Sequence, residues 1–200
     1  MSDLFTYVKH DSDNQILLSL FKAYRNARKN KRAKRSQVAF EYAYESKLIK
    51  LHKDIMNRRY QPLPSTAFIS TKPVIREVFA ADFQDRVVHH LIFNAISPIF
   101  EKEFIKDSYS CREGKGTLYG VNRVFSFIDK SSQHYTNKSY ILKLDVQGYF
   151  YSINRSRLYT MVRDTLVKKE HLLPLPFDDI DYLIKTTIFS DPTHEVKIYK

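Results

Sequence analysis

Apolar residues along the chain fall at helical spacing in six stretches and at strand spacing in three. Ile16, Leu17, Leu20, Phe21 and Tyr24 recur every three or four positions, which predicts a helix with one apolar face. A second helical pattern covers 38–57 through Phe40, Tyr44, Leu48, Leu51 and Ile55, and Pro62 and Pro64 hand it over to extended chain. Residues 67–70 and 76–79 read as two short strands joined by a turn that holds Lys72 and Pro73. Asp82 suits the cap of a helix whose buried stripe is Phe83, Val87, Val88, Leu91, Ile92, Ala95 and Ile96, with Pro98 at its end or at a kink. After a polar turn at 108–117, Leu118, Val121, Val124, Phe125 and Ile128 predict a further helix, capped by Thr117. Residues 140–146 are apolar on both faces apart from Lys143, the pattern of a strand covered on each side. Asn154 suits the cap of a helix carrying Leu158, Met161, Val162 and Leu166. A last helical pattern, 180–188, precedes a strand-like tail.

Charge changes this picture most. The chain has 33 Lys and Arg against 22 Asp and Glu, a net +11. Between Asn14 and Phe40 there is no acidic residue, and Lys22, Arg25, Arg28, Lys29, Lys31, Arg32, Lys34 and Arg35 supply eight cations. The rest of the chain carries only +3, so the N-terminal segment is the electrostatic signature. A solvated helix end is the plain reading; contact with nucleic acid phosphates is the functional one, ahead of an acidic membrane surface. One cysteine, Cys111, excludes an intrachain disulfide, and 43% hydrophobic residues suffice for a core. Residues 1–9 resemble no signal peptide and the most apolar window, 91–100, is far short of a membrane span, so a cytoplasmic, membrane-free protein is expected.

Candidate chemistry concentrates at a few positions. Asp145 lies at the exit of the apolar 140–146 stretch, where an ionised carboxylate calls for a cation or hydrogen-bond donors. It reads either as a ligand of Mg²⁺, with the Val146 carbonyl beside it, or as a turn residue bonding the amides of Gln147 and Gly148. Gly114-Lys115-Gly116-Thr117 fails as a P-loop, because Gly116 separates Lys115 from Thr117; Arg112 and Lys115 are phosphate-contact candidates there. His89, His90 and Cys111 do not make a zinc set.

Three segments carry a resemblance. Residues 75–90 (IREVFAADFQDRVVHH) resemble the first fingers motif of bacterial reverse transcriptases, 108–117 (SYSCREGKGT) their second motif, and 140–153 (YILKLDVQGYFYSI) the palm strand that bears the first metal-binding aspartate. The order and spacing agree, and the wording, with Asp191-Pro192-Thr193, is most similar to the reverse transcriptases of diversity-generating retroelements. The resemblance implies an α+β fold: a helical basic segment over 1–60, a fingers-like region over 61–138 and a partial palm over 139–200. It makes Asp145 a catalytic residue and ligand of magnesium, Phe150 the aromatic under the nucleotide sugar, and Arg76 and Lys72 the cations for the incoming triphosphate. Its implied partners are an RNA template, a DNA primer, deoxynucleoside triphosphates and a retroelement accessory protein. The family's Tyr-x-Asp-Asp turn is missing, Asp178-Asp179 standing instead at a helix start, so polymerisation by this chain alone is not expected. A non-catalytic nucleic-acid-binding module derived from the same fold is the competing expectation.

Overall fold

The computed structural model describes residues 2–29, 35–72 and 75–198, with side chains from Asn14 onward. The fold is α+β. In chain order it runs α1 (Ser2–Arg28), α2 (Arg35–Glu41), α3 (Tyr44–Met56), β1 (Thr66–Ser70), β2 (Arg76–Ala80), α4 (Phe83–Phe100), α5 (Thr117–Ser131), α6 (Tyr149–Ser152), α7 (Arg155–Lys168), α8 (Phe177–Phe189) and β3 (Lys197–Ile198). Two compact units emerge, 1–97 with 154–200, and 98–153. The boundaries expected at 60/61 and 138/139 each fall inside one of these units.

The first unit is built on an apolar core. Ile16, Leu20, Ala23 and Tyr24 of α1, Leu48, Leu51 and Ile55 of α3, Val87, Val88 and Leu91 of α4, and Ile180, Leu183 and Ile184 of α8 are all buried. Apart from Ala23, these positions belong to the helical patterns of the sequence, because removal of apolar area from water fixes which face of each helix turns inward. Asp82 does cap α4, its Oδ1 accepting the Gln84 amide at 3.0 Å, and Asn154 caps α7, accepting the Arg157 amide at 2.9 Å.

The single helix expected over 38–57 is two. The chain leaves helical geometry at Ala43 (φ −144°, ψ 45°). Glu41 at the end of α2 is tied to Arg28 of α1 at 2.7 Å, while Tyr44 at the start of α3 stacks on Tyr24 of the same helix, so α2 and α3 dock on α1 separately. β1 and β2 pair antiparallel from Thr66↔Ala80 to Ser70↔Arg76, and the strand-like tail forms β3, which pairs parallel with β1.

The second unit is held differently. Within 98–153 only Ile99 and Ser132 are buried. Polar clasps organise its loops: the Arg123 guanidinium takes both oxygens of Asp107 at 2.8 and 3.2 Å, and Tyr109 donates to the same carboxylate. The bonds from Arg123 and Tyr109 hold the Asp107 carboxyl down at about 2. Two sequence expectations fail here. Gly116, not Thr117, occupies the cap position of α5, without a side-chain hydrogen bond, and Thr117 is the first helical residue. Residues 140–146 form no strand: they run as irregular chain with every side chain exposed, Tyr140 at 91% and Leu142 at 80%. A strand exists only through a hydrogen-bonded neighbour, and no described residue pairs with this stretch, so its apolar pattern finds neither ladder nor cover.

Candidate nucleic-acid interface

Basic residues of α1 and α2 form the first part of the candidate interface. Arg25 and Lys29 are exposed and Arg28 is half-buried. Arg28 Nε donates to Glu41 Oε1 at 2.7 Å, and Gln37 Nε2 donates to the same oxygen at 3.0 Å, which fixes the guanidinium on the surface of α1. Arg35 opens α2 and is exposed. Lys31, Arg32 and Lys34 lie outside the described residues. Interleaved with these cations is an aromatic series that sequence reading assigned only to the core. Tyr24 and Tyr44 are stacked at 4.9 Å, Phe21 stands edge-on to Tyr44, and Tyr24 leans on Phe40 and Phe83. Burial raises the Tyr24 phenol above its ordinary range, and a hydrogen bond to Glu45 raises that of Tyr44, so both rings remain neutral. The signal available in the sequence was the alternation of Phe21 and Tyr24 with Lys22, Arg25 and Arg28.

The β1–β2 hairpin supplies the second part of the candidate interface. Ser70 and Arg76 are the last register pair, and Lys72 lies in the connection between them, so both cations belong to one end of the hairpin and both are exposed. The Ser70 hydroxyl donates to the Lys72 carbonyl at 3.1 Å and tightens that end.

Arg112 and Lys115 belong to the second unit, where their side chains are engaged within the chain. The Arg112 guanidinium donates to Glu101 Oε2 at 2.8 Å and to the carbonyls of Ile105, Ser108 and Glu101, and it lies over the Phe104 ring. Lys115 Nζ donates to the Lys106 carbonyl at 2.5 Å. In this arrangement Arg112 is a clasp of the loop that precedes α5, its side chain only 10% exposed, rather than a cation presented to a phosphate.

Asp145 is exposed, and its Oδ1 accepts the amide of Val146 at 3.0 Å; neither Gln147 nor Gly148 donates to it. Gly148 follows at φ 62°, a left-handed conformation that a side chain would strain, and this turns the chain into the short α6. Phe150 in that helix is 83% exposed and meets Tyr149 edge-to-face at 5.3 Å. The Asp145 carboxylate and the Val146 carbonyl are hard oxygens on neighbouring residues, the ligand type that Mg²⁺ takes together with water and phosphate. They do not make a two-ion site: among the described residues no group of three His, Cys, Asp or Glu side chains is placed to hold a metal. Asp179, the second member of the Asp-Asp pair, is instead buried and bonded to Arg58 at 2.7 Å.

Set against known proteins, the chain matches no family model and no curated protein. Among the described residues no helix is long and apolar enough to cross a membrane.

Proposed function

We propose that this chain is the fingers and opening palm portion of an RNA-directed DNA polymerase, similar to the reverse transcriptases of diversity-generating retroelements. Its own contribution is to hold template RNA on the basic α1–α2 surface and the incoming deoxynucleoside triphosphate at the hairpin. The observation that carries this reading is the ordered run of motif-like segments at 75–90, 108–117 and 140–153. Two exposed cations, Lys72 and Arg76, at one end of a hairpin that continues into the first segment support it, because triphosphate binding needs positive charge that is accessible and rigidly based. On this reading magnesium enters with the nucleotide phosphates, and the resemblance gives Asp145, with the Val146 carbonyl, the part of a magnesium ligand. The resemblance gives Phe150 the part of the aromatic under the nucleotide sugar, and the DNA primer and an accessory protein are supplied from outside the chain.

A second reading, a binding module without nucleotide chemistry, is favoured by one observation: among the described residues no three His, Cys, Asp or Glu side chains are grouped to hold a metal. The two readings separate in one experiment. Fluorescent deoxynucleotide is titrated into the protein–RNA complex in magnesium buffer, with Arg76→Ala and Lys72→Ala alongside. Nucleotide binding that weakens severalfold in Arg76→Ala with RNA affinity intact is the expected result. RNA binding with no nucleotide binding at all would leave the module reading in its place.

A further inference from the structure

Three aromatic rings and two guanidinium groups meet at a cavity of about 360 Å³ lined by Phe21, Tyr24, Arg25, Arg28, Glu41 and Tyr44. Its walls are set before any ligand arrives. Tyr24 is wedged against Phe40 and Phe83, and Tyr44 lies nearly parallel to Tyr24, with 10° between the ring planes. Phe21 stands at 83° to Tyr44, and Arg28 is oriented by Glu41. A recess that merely completed the core would gain nothing from guanidinium groups in its lining, which keep their water at the expense of packing. Aromatic rings interleaved with arginine are, in contrast, the groups on which unpaired bases stack and beside which their phosphates are neutralised.

We propose that this cavity takes one unpaired base of a single-stranded nucleic acid, packed against the Tyr44 and Phe21 rings, with the adjoining phosphates on Arg25 and Arg28. The occupant follows from charge: the segment from Asn14 to Phe40 contains no acidic residue, and Glu41, the one carboxylate in the lining, is engaged by Arg28 and Gln37. A base inside a duplex has both faces covered by its neighbours and cannot enter, so the cavity discriminates single strands from helices. The site lies outside the three motif-like segments and rests on the reading of the chain as an RNA-binding protein.

The test uses a single-stranded RNA with one central fluorescent adenine analogue and a blunt-ended RNA duplex of equal phosphate count. Binding of the single strand quenches the analogue. Tyr44→Leu abolishes the quench and weakens single-strand affinity roughly tenfold, as loss of one stacked base does, with duplex affinity unchanged. Unaltered quench and affinity in Tyr44→Leu overturn the proposal. If circular dichroism shows that this variant has lost helix, the exposed Arg25→Gln replaces it: a loss confined to the single strand supports the cavity, and an equal loss on both RNAs overturns it. Self-association of the protein that disappears in the same variants identifies a second copy as the occupant and also overturns it. Failure of the wild-type chain to bind either RNA instead removes the RNA-binding reading itself.

Discussion

At the scale of single residues, the most consequential group is one to which no role was given from the sequence. Asp85 lies in the first turn of α4, 1% exposed, and accepts the Tyr60 hydroxyl at 2.8 Å and the Leu63 amide at 2.9 Å. Tyr60 is equally buried, and its carbonyl accepts the Tyr182 hydroxyl at 2.9 Å, so one carboxylate joins the end of α3, the start of α4 and, through Tyr60, α8. Burial pushes the Asp85 carboxyl up to about 6; the bonds from Tyr60 and Leu63 pull the other way, and the nearby Asp82 adds to the rise. The unfolded chain titrates this group near its ordinary value of about 3.9. The folded state therefore holds the proton more tightly, and the ionised form weakens the fold: stability contributed by the protonated group is full below about pH 4 and is lost as pH rises through about 6. The shift corresponds to about 3 kcal/mol. Asp85→Asn keeps an acceptor for Tyr60 while removing the charge. Its stability relative to wild type should rise by on the order of 2–3 kcal/mol between pH 4 and pH 7.5, read from urea midpoints, the common background of the other charges cancelling in the difference. A difference that is flat with pH would show that Asp85 titrates normally.

At the scale of elements, local signals were legible where an element satisfies itself and illegible where it depends on a partner. Asn154 illustrates the first case. Its side chain closes the amide of Arg157, so Asn154→Ala should cost about 1 kcal/mol by urea denaturation and Asn154→Asp should restore most of it; equal losses in both would remove the cap from the account of α7. The α4 stripe and the β1–β2 hairpin were readable for the same reason, since periodicity and turn chemistry act within a few residues. The break at Ala43 was not, because it answers to α1: Arg28 takes Glu41 and Tyr24 takes Tyr44, contacts that span more than a dozen positions. The 140–146 stretch shows the limit most plainly. Its residues have the composition of a covered strand, yet a strand is a property of two segments, and Asp145 consequently sits on irregular, exposed chain, bonded to the Val146 amide. Of the candidate site, the basic segment and the hairpin cations were legible as residue types, whereas the engagement of Arg112 by Glu101 and neighbouring carbonyls, and the aromatic cavity on α1, required the folded arrangement.

At the scale of the whole molecule, charge and chemistry part company. The chain carries +11, with eight cations between Asn14 and Phe40, and phosphate contact with about five to eight of its cations should give log K against log salt a slope on the order of −4 to −7 for single-stranded or hybrid RNA. Replacement of Arg25, Arg28, Lys29 and Arg35 by Ala should flatten that slope by two units or more, and an unchanged slope would take the α1–α2 surface out of the interface. Catalysis is a separate demand. Transfer of a nucleotidyl group by the two-ion route needs carboxylates on both sides of a pair of ions about 3.5–4 Å apart. Asp145 is exposed, its nearest donor is a backbone amide, and among the described residues no acidic, His or Cys groups gather to hold an ion. Tight RNA binding and absent chemistry are therefore expected of the same preparation: strong retention on RNA at low salt, and no primer extension on an RNA template with magnesium and deoxynucleotides, beside a complete reverse transcriptase as positive control. The opposite outcome has a definite meaning. Extension that persists through purification and disappears in Asp145→Asn would require further carboxylates to reach Asp145 in the working complex, and the first to substitute would be Asp129 and Asp107, the other aspartates of the 98–153 unit.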